Sequence, residues 1–264
     1  MNQAAPIDAA RVGRRVETLG FDWHYREETG STNADALAYH ARRGRDVVAF
    51  GETQTSGRGR RGREWLSPFA RNIYCTVGIE RDIVPAQQGL LSIVTGIALC
   101  DALRAATGLA VQLKWPNDLL LDGVKFGGIL IESRPLGDTR FFFAVGYGLN
   151  LWLSDDELAA LDRPATSLGH HLRATPDRSA LLERSIEAVA GAIRDFDPIA
   201  VESLIREFAC VDAYRDAPVE VISGGESIRG INRGIDERGQ LRLETGQGIE
   251  LHSAAEISLR GDCS

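Results

Sequence analysis

Two patterns of apolar and polar positions occur in turn along the first hundred residues of the chain, one typical of helices and one typical of strands. Apolar residues spaced three and four apart are typical of helices, and short runs rich in β-branched and aromatic residues are typical of strands. These patterns predict an amphipathic helix over 8–19, a helix capped by Ser31 or Thr32, strands over 47–53 and 72–80, and a helix over 85–106. The last is the clearest, because Pro85 suits a first helical turn and Gly108 a helix end.

The second half of the chain changes from mixed elements to short strands. Strands are predicted over 110–114, 124–133 and 140–148, with turns at 122–123 and 135–138, and helices dominate from about 154 to 209. From about residue 214, five short alternating runs are divided by glycine-rich turns. This pattern is typical of a small β-barrel.

Composition and charge narrow the class of protein. The chain has 264 residues, 44% of them hydrophobic and 25% charged, and its formal net charge is −7. This is ordinary globular composition, and the acidic balance argues against a general nucleic-acid coat protein. The four cysteines include no CxxC pair and no zinc-ligand spacing, so we expect reduced thiols. The N-terminus lacks a secretory signal, and no apolar run approaches the ~20 residues of a membrane span. We therefore expect a soluble cytoplasmic protein.

The segment GRGRRGR, residues 57–63, concentrates four arginines and three glycines in this acidic chain. Gly57, Gly59 and Gly62 match G-x-G-x-x-G formally. A dinucleotide-binding motif, however, needs a helix to open at the third glycine, and the following REWLSPF has no helical period. A solvated surface loop is one alternative. An anion-binding loop is the other, because arginine forks bind carboxylate or phosphate and glycines bring backbone N–H groups onto an anion.

Further segments favour a ligand site when they are taken together. They are STN at 31–33, KWPND at 114–118, KFGG at 125–128 and GYGLN at 146–150. The proline of KWPND breaks a strand and exposes Asn117 and Asp118, and the glycines after Lys125 leave room for a ligand against the backbone. Taken singly, each segment is explained as a helix cap, a hairpin turn, a solvated lysine or a strand bend.

In this order, these segments and the arginine loop resemble the biotin–protein ligases over roughly residues 28–262, and a C-terminal RGID followed by EISLR completes the set. The resemblance implies an α+β fold. A catalytic domain over 1–213 would have a mixed β-sheet with flanking helices, as in class II aminoacyl-tRNA synthetases, and an SH3-like β-barrel would follow over 214–264. It also implies two steps: ATP activates biotin to biotinyl-5′-AMP with release of pyrophosphate, and a lysine of a biotin carboxyl carrier domain then receives the biotin.

The resemblance also implies roles for individual residues, and charge explains them, since both reactants of the first step are anions. The catalytic residues would be Lys125, Arg60 and Asp118. Biotin would be bound by Ser31, Thr32, Asn33, Gln54, Gly57, Arg58, Gly59, Arg60, Lys125 and Gly128. ATP would be bound by Arg58, Arg60, Arg61, Arg63, Trp65, Asn117, Lys125 and Asn150. Asp118 would position Mg²⁺ or the incoming lysine amine, and the sequence leaves both open.

Partners and alternatives follow from the same resemblance. Some family members carry an N-terminal DNA-binding domain and act as repressors, but only about 28 residues precede STN here. We therefore expect a ligase without repressor function, with no DNA or membrane partner, as a monomer or a ligand-promoted homodimer. Tyr147 stands where the family often has a small residue, so we expect it to narrow the pocket or stack on a ligand. A lipoate or octanoate ligase and a nucleic-acid-binding module built on the arginine loop remain as alternatives.

Overall fold

A mixed β-sheet and a smaller antiparallel sheet organise the computed structural model, which describes residues 5–173, 176–197, 199–223, 226–253 and 257–261. The strands of the large sheet are β1 (Asp22–Thr29), β2 (Val47–Gln54), β3 (Ile73–Asp82), β4 (Gln112–Lys114), β5 (Asp118–Leu121), β6 (Val124–Pro135) and β7 (Arg140–Leu149). The helices are α1 (Ala9–Thr18), α2 (Thr32–Arg43), α3 (Leu90–Thr107), α4 (Asp155–Ala159), α5 (Arg178–Asp195) and α6 (Val201–Val211).

The helix ends follow the cap residues that the sequence provides. Asp8 accepts a hydrogen bond from the backbone N–H of Arg11 at the start of α1. Gly44 and Gly108 end α2 and α3 with φ angles of 62° and 72°, which glycine adopts without steric cost. The predicted helix start at Pro85 is wrong. Residues 85–87 form a separate 3₁₀ turn, and α3 begins at Leu90.

The strand order of the large sheet is β1-β2-β3-β7-β6-β5-β4. The pair β1–β2 is parallel and the other pairs are antiparallel, so the sheet is mixed. Two strands were not predicted from the sequence, β1 and β5. In particular, Asp118 is the first residue of β5 and pairs with residues of both neighbouring strands, β4 and β6. It was expected to lie in an exposed break between strands.

The two faces of this sheet differ in what covers them. Most of the core lies between one face and the helices α1, α3, α5 and α6, with side chains such as Phe50, Val145 and Leu182 fully buried there. A smaller apolar cluster lies on the opposite face under α2, and it includes Ala36 and Phe142. Because α2 covers only part of that opposite face, the remainder is available for a site.

Helix α3 is the central core helix. The 23 residues Pro85–Thr107 are long and apolar enough to cross a membrane by length and composition, with a mean hydropathy of 1.5. Of that apolar stretch, 56% is buried inside the fold. Helix α3 packs on α5, α6 and β6, which explains its apolar composition without a membrane.

The small sheet follows α6. Its strands are β8 (Pro218–Ser223), β9 (Glu226–Ile235), β10 (Leu241–Thr245), β11 (Gly248–His252) and β12 (Ile257–Gly261), in the order β11-β10-β9-β8-β12, all antiparallel. All five predicted runs form strands, and the α+β class with a mixed sheet and a small C-terminal β-sheet is confirmed. The boundary between residues 213 and 214 stays a prediction.

Two of the thiols, Cys75 and Cys100, are buried in this fold. Cys75, Cys100 and Cys210 are free, and Cys263 lies outside the described residues. Burial raises the pKa of both Cys75 and Cys100 to about 12, which keeps these two thiols protonated near neutral pH.

Candidate active site

A row of cross-strand partners crosses the face of the large sheet that carries α2. Lys114 on β4 pairs with Asp118 on β5, Asp118 pairs with Gly128 on β6, and Gly128 pairs with Gly148 on β7. Directly opposed residues project to the same face of a sheet. The motifs KWPND, KFGG and GYGLN, which are far apart in sequence, therefore meet in one row.

Two ammonium groups surround the carboxylate of Asp118. The Nζ atom of Lys125 lies 2.6 Å from Asp118 Oδ1, and the Nζ atom of Lys114 lies 3.9 Å from Asp118 Oδ2. The register of β5 and β6 shifts between Leu119 and Leu120, just before Lys125 enters its pairing. The side chains are half-buried, which weakens solvent screening of their charges.

Trp65 covers the glycine part of this row. A Cβ atom at Gly148 would lie 2.6 Å from Trp65 Nε1, and one at Gly128 would lie 3.3 Å from the Trp65 ring, so the indole rests on both glycines. The space above these glycines, which was expected to hold a ligand, is therefore occupied by the Trp65 side chain. The ammonium of Lys125 lies 5.3 Å from the centre of the Trp65 ring, within cation–π range.

The segment GRGRRGR, called the arginine loop below (57–63), folds back on itself as a short hairpin. Gly59 donates its backbone N–H to the carbonyl of Arg63 at 2.7 Å, and Trp65 donates to Gly57 at 2.9 Å. The chain reverses at Arg61 and Gly62, whose φ angles are 60° and 72°. No α-helix opens at Gly62, so the dinucleotide-binding interpretation that was already disfavoured does not apply.

Two arginines of the loop reach opposite ends of this sheet face. Arg60 donates from Nη1 to Asn117 Oδ1 at 3.1 Å, beside the Lys–Asp cluster. Burial lowers the pKa of Arg60 and neighbouring Arg61 lowers it further, while Asp118 raises it, yet a guanidinium stays charged at neutral pH. Arg58 instead donates from Nη2 to Glu132 Oε1 at 3.2 Å.

Glu132 lies four residues beyond Gly128 on β6, about 13 Å along the strand at ~3.3 Å per residue. In this structure Arg58 is therefore placed away from the Lys–Asp cluster, whereas Arg60 is placed beside it. The arginine loop consequently crosses the sheet face from one end to the other.

Neutral polar groups occupy the part of the face between α2 and the start of the loop. Gln54 Oε1 accepts the backbone N–H of Thr32 at 3.0 Å, and Gln54 Nε2 donates to Ser67 Oγ at 3.3 Å. Ser31 is the residue preceding α2, yet its hydroxyl makes no capping hydrogen bond. The predicted biotin-binding residues Ser31, Thr32 and Gln54 are thus together in space.

The side chain of Asn33 is engaged by protein groups. Its Nδ2 donates to Glu132 Oε2 at 2.9 Å and to the carbonyl of Leu130 at 3.1 Å, and its Oδ1 accepts from Thr76 Oγ1 at 2.7 Å. Gly146 makes this possible, because a Cβ atom there would lie 2.2 Å from Asn33 Oδ1. Asn33 therefore orders the neighbouring side chains from a buried position.

Asn150 also has protein partners. Its side chain donates to the carbonyl of Thr166 at 3.2 Å, and its backbone bonds Phe126 and Leu168. In this way it fixes the end of β7 to the segment that follows α4. The remaining predicted residues lie in the arginine loop, where Gly57 is required because a Cβ atom would lie 2.7 Å from the carbonyl oxygen of Trp65.

Tyr147 faces away from the site, and the expectation that it narrows the pocket or stacks on a ligand is wrong. Its hydroxyl lies 2.9 Å from Ser185 Oγ on α5, in the main core. The cause is the two-residue alternation of a strand, since Gly146 and Gly148 on either side face Asn33 and Trp65. Burial raises the pKa of Tyr147 well above its ordinary value, so it stays protonated.

Three residues at the site were missed by sequence reasoning: Lys114, Thr76 and Glu132. Lys114 is the first residue of KWPND, a motif in which only Asn117 and Asp118 were assigned roles. Thr76 lies within an apolar strand and belongs to no motif, and Glu132 ends the run KFGGILIE without having been assigned a role. The alternation along β3 and β6 was a usable signal, since it assigns polar residues within an apolar strand to one face.

The arrangement suits an anion at one end and an uncharged polar group at the other. Lys114, Lys125 and Arg60 supply positive charge around Asp118, and Ser31, Thr32 and Gln54 supply neutral hydrogen-bonding groups. Within the described residues, no group of three or more histidine, cysteine or acidic side chains could hold a metal ion. A ligand that carries both a polar ring and an anionic tail fits this pattern.

Two regions of the chain match known protein families. Residues 29–150 match the family described as "Biotin/lipoate A/B protein ligase family", and residues 217–260 match "Biotin protein ligase C terminal domain". These matches define the class of protein as the biotin and lipoate ligases.

Individual relatives and a solved structure agree with this class. The chain is 35% identical to "Biotin--[acetyl-CoA-carboxylase] ligase" of Mycobacterium tuberculosis, covering 96% of this chain and 95% of that protein. It is 34% identical to "Bifunctional ligase/repressor BirA" of Salmonella typhimurium over 79% of this chain, and it spans just under two thirds, 65%, of that relative's length. The structure of the Aquifex aeolicus biotin protein ligase in complex with biotin and ATP superposes with a TM-score of 0.75 at 24% identity, covering 91% of this chain and 99% of that one. The chain therefore belongs to the biotin protein ligase family.

Proposed function

We propose that this protein activates biotin with ATP to biotinyl-5′-AMP and transfers the biotin to a lysine of a biotin carboxyl carrier domain. The observation that carries the proposal is the placement of Lys125 and Asp118 beside Arg60 at one end of the sheet face, with Ser31, Thr32 and Gln54 at the other. Family membership supports biotin as the acid, and the nucleic-acid alternative has no comparable support.

The first step requires that two anions approach each other. An oxygen of the biotin carboxylate forms a bond to the α-phosphorus, while the bond from that phosphorus to the bridging oxygen breaks and its electron pair leaves with pyrophosphate. In this proposal Lys125 holds the carboxylate and the α-phosphate together and Arg60 adds a second positive charge; their positions beside Asp118 and Asn117 support these roles. Both charges stabilise the transition state more than the separated reactants, because the negative charge is concentrated there.

The second step forms the amide. The neutral lysine amine of the carrier attacks the acyl carbon, the bond to the phosphate oxygen breaks, AMP leaves with that electron pair, and the nitrogen gives up one proton to solvent. Asp118 lies within 2.6 Å of Lys125 and can orient either this ammonium or the incoming amine. We infer that the neutral groups of Ser31, Thr32 and Gln54 bind the polar ring of biotin throughout both steps.

Mg²⁺ belongs to this proposal as a companion of ATP. Mg²⁺ usually binds through one or two carboxylates together with substrate phosphates, and Asp118 supplies one carboxylate at the anion-binding end. Its chemistry would be to neutralise phosphate charge. We also propose a cytoplasmic location, a carrier-domain partner, no DNA or membrane partner, and a monomer or ligand-promoted homodimer.

The direct test is pyrophosphate release from ATP with biotin, with lipoate, or with no acid, in the absence of a carrier. We expect release with biotin only, followed by one added biotin on a purified carrier domain by mass spectrometry. Release with lipoate and not with biotin would move the assignment to the lipoate ligases of the class. Salt-sensitive nucleic-acid binding without ATP turnover would instead support the nucleic-acid-binding alternative.

Replacing Arg60 with glycine is expected to weaken retention of the adenylate. Loss of the contact to Asn117 and of one half-buried positive charge loosens the loop over the mixed anhydride, which then acylates accessible lysines without selection. We expect scattered biotinylation of a lysine-rich bystander protein, detected by peptide mass spectrometry. Modification of the carrier lysine alone, at undiminished adenylate production, would rule out a retention role for Arg60.

The arginine loop is expected to be the preferred early site of trypsin in the ligand-free protein. Three glycines make it costly to order, and adjacent guanidinium groups repel one another until an anion arrives. Biotin with MgATP should suppress cleavage after Arg58, Arg60, Arg61 and Arg63 far more than ATP alone, because the intermediate presents both halves to the loop. N-terminal sequencing of the fragments checks this. Equal cleavage with and without both substrates would mean that the loop does not close on the intermediate.

A further inference from the structure

The side-chain amide of Asn33 has one orientation that its neighbours accept. Its Nδ2 group donates to two oxygens, the carbonyl of Leu130 at 3.1 Å and Oε2 of Glu132 at 2.9 Å. A reversed amide would place its own oxygen against these two acceptors, so Oδ1 faces Thr76 Oγ1, at 2.7 Å. Because an amide oxygen only accepts hydrogen bonds, the single hydroxyl proton of Thr76 is committed to Asn33.

This commitment also fixes the hydroxyl proton of Thr32. The Oγ1 atoms of Thr32 and Thr76 lie 2.8 Å apart, and two hydroxyl oxygens at that distance need a proton between them. Since Thr76 has given its proton to Asn33, Thr32 donates and Thr76 accepts. A second acceptor, Gln54 Oε1, is farther from the Thr32 hydroxyl, at 3.4 Å, and already accepts the backbone N–H of Thr32. The lone pairs of Thr32 Oγ1 are therefore what this hydroxyl offers to a ligand.

Packing keeps the side chain of Thr32 in this orientation. Thr32 is the first residue of α2 and is buried, as is Thr76 on β3. A Cβ atom at Gly51 would lie 3.6 Å from Thr32 Cγ2, so the methyl group of Thr32 packs over this glycine of β2. A β-branched side chain with its methyl group on one side has its hydroxyl fixed on another, here toward β3. The polarity of the Thr32 hydroxyl is thus set by buried protein groups.

We propose that Thr76 is a positioning residue of the biotin site: by accepting the proton of the Thr32 hydroxyl, it makes Thr32 an acceptor that selects an acid whose ring carries an N–H group; this inference rests on the proposed function. The cyclic urea of biotin carries two N–H donors, whereas the dithiolane ring of lipoate carries none. An acceptor-only hydroxyl matches an N–H and rejects an oxygen at the same place, because two sets of lone pairs would then face each other.

A purely structural role is the alternative for Thr76, since its hydroxyl also satisfies the buried Oδ1 atom of Asn33. Loss of that hydrogen bond would lower the free energy of unfolding and weaken the binding of every ligand to the same degree. The positioning role predicts something further. Without Thr76 Oγ1 the proton of Thr32 is free to turn toward a ligand, so the protein loses its preference for an N–H over an oxygen.

The experiment measures the Kd by isothermal titration, without ATP, for biotin and for two cyclic carbamates. Each carbamate has a different ring N–H of biotin replaced by an oxygen. We expect the wild type to bind at least one carbamate roughly tenfold or more weaker than biotin. In Thr76→Val biotin should bind more weakly, while the ratio of Kd values for one carbamate and biotin should fall by about threefold or more.

Three further variants control the result. Thr76→Ser keeps the hydroxyl and should keep the wild-type ratios. Thr76→Ala decides the question if Thr76→Val fails to fold, because it removes the hydroxyl without placing a methyl group against Asn33. Thr95→Val is the matched control: Thr95 is equally buried, on α3, and within the described part of the chain its hydroxyl has no hydrogen-bond partner. We expect this variant to bind all three ligands as the wild type does.

Several results would overturn the inference. A wild type that binds both carbamates as tightly as biotin does not have an acceptor-only Thr32. Weaker binding with unchanged ratios in folded Thr76→Val or Thr76→Ala would leave Thr76 with a structural role alone, and so would an equal fall of the ratio in Thr76→Ser. In these cases biotin still binds and the proposed function stands. If the wild type does not bind biotin, the proposed function has failed and the inference fails with it.

Discussion

Replacing Lys125 with alanine is expected to slow pyrophosphate release by roughly 100- to 1,000-fold while the protein remains folded. The ammonium of Lys125 lies 2.6 Å from Asp118 and 5.3 Å from the centre of the Trp65 ring, on the open face of the sheet. Its removal costs little packing, because about a third of the side chain, 34%, is exposed to solvent. What is lost is the positive charge that joins the carboxylate and the α-phosphate.

The measurement is a single-turnover assay of pyrophosphate with saturating biotin and ATP, beside a urea titration that reports the free energy of unfolding. Arg229→Ala is a suitable control, since it removes an exposed cation of the C-terminal sheet that pairs at 3.7 Å with Glu220. We expect the control to release pyrophosphate at the wild-type rate. Near-normal adenylate formation by folded Lys125→Ala would remove Lys125 from the catalytic residues.

The sequence predicted most of the fold, because most elements carry their own local signals. Glycines at the ends of α2 and α3 and the five alternating runs after 214 needed no tertiary information. The two missed strands did need it. Strand β5 has only four residues between a proline turn and the Asp122-Gly123 turn, and β1 is an edge strand with three exposed charged residues at 26–28. In both, pairing with a neighbour outweighs a weak local preference.

For the candidate site, the motifs identified most of the residues that lie together but not their orientation. The pairing of Asp118, Gly128 and Gly148 across three strands depends on register, which the sequence does not display. Trp65 fills the space over the two glycines, so counting small residues overestimates the open volume. Arg58 and Arg60 are two positions apart in one motif and nevertheless point to opposite ends of the face.

Replacing Arg178 with methionine is expected to destabilise the protein by about 3–5 kcal/mol, the usual cost of leaving a buried charge without its partner. The Nη1 atom of Arg178 lies 2.6 Å from Oε2 of Glu52, whose side chain is completely buried. Oε1 of Glu52 accepts the backbone N–H of Ile7 at 2.8 Å, and Nε of Arg178 donates to the carbonyl of Asn72 at 2.9 Å. Methionine fills comparable volume but leaves the carboxylate of Glu52 uncompensated.

The position of this pair connects stability with the site. Glu52 lies two residues before Gln54 on β2, and its carbonyl accepts the backbone N–H of Ala70, so it holds both ends of the segment that contains the arginine loop. In Arg178→Met we therefore expect faster trypsin cleavage in the loop together with the lower free energy of unfolding. Arg11→Met, which breaks an exposed pair with Asp177 and a half-buried pair with Glu183, should change both quantities far less.

A second substitution separates the lost pair from the lost packing. Glu52→Gln in the Arg178→Met background replaces the unpaired carboxylate with a neutral amide that can still accept the N–H of Ile7. Removing the charge should recover a large part of the stability, because an unpaired buried charge costs more than a neutral polar group does. Urea titrations of the two single variants and the double variant give the coupling free energy. If the double variant is as unstable as Arg178→Met, the loss comes from packing around Phe50, over whose ring the guanidinium lies at 5.5 Å, and not from the unpaired charge of Glu52.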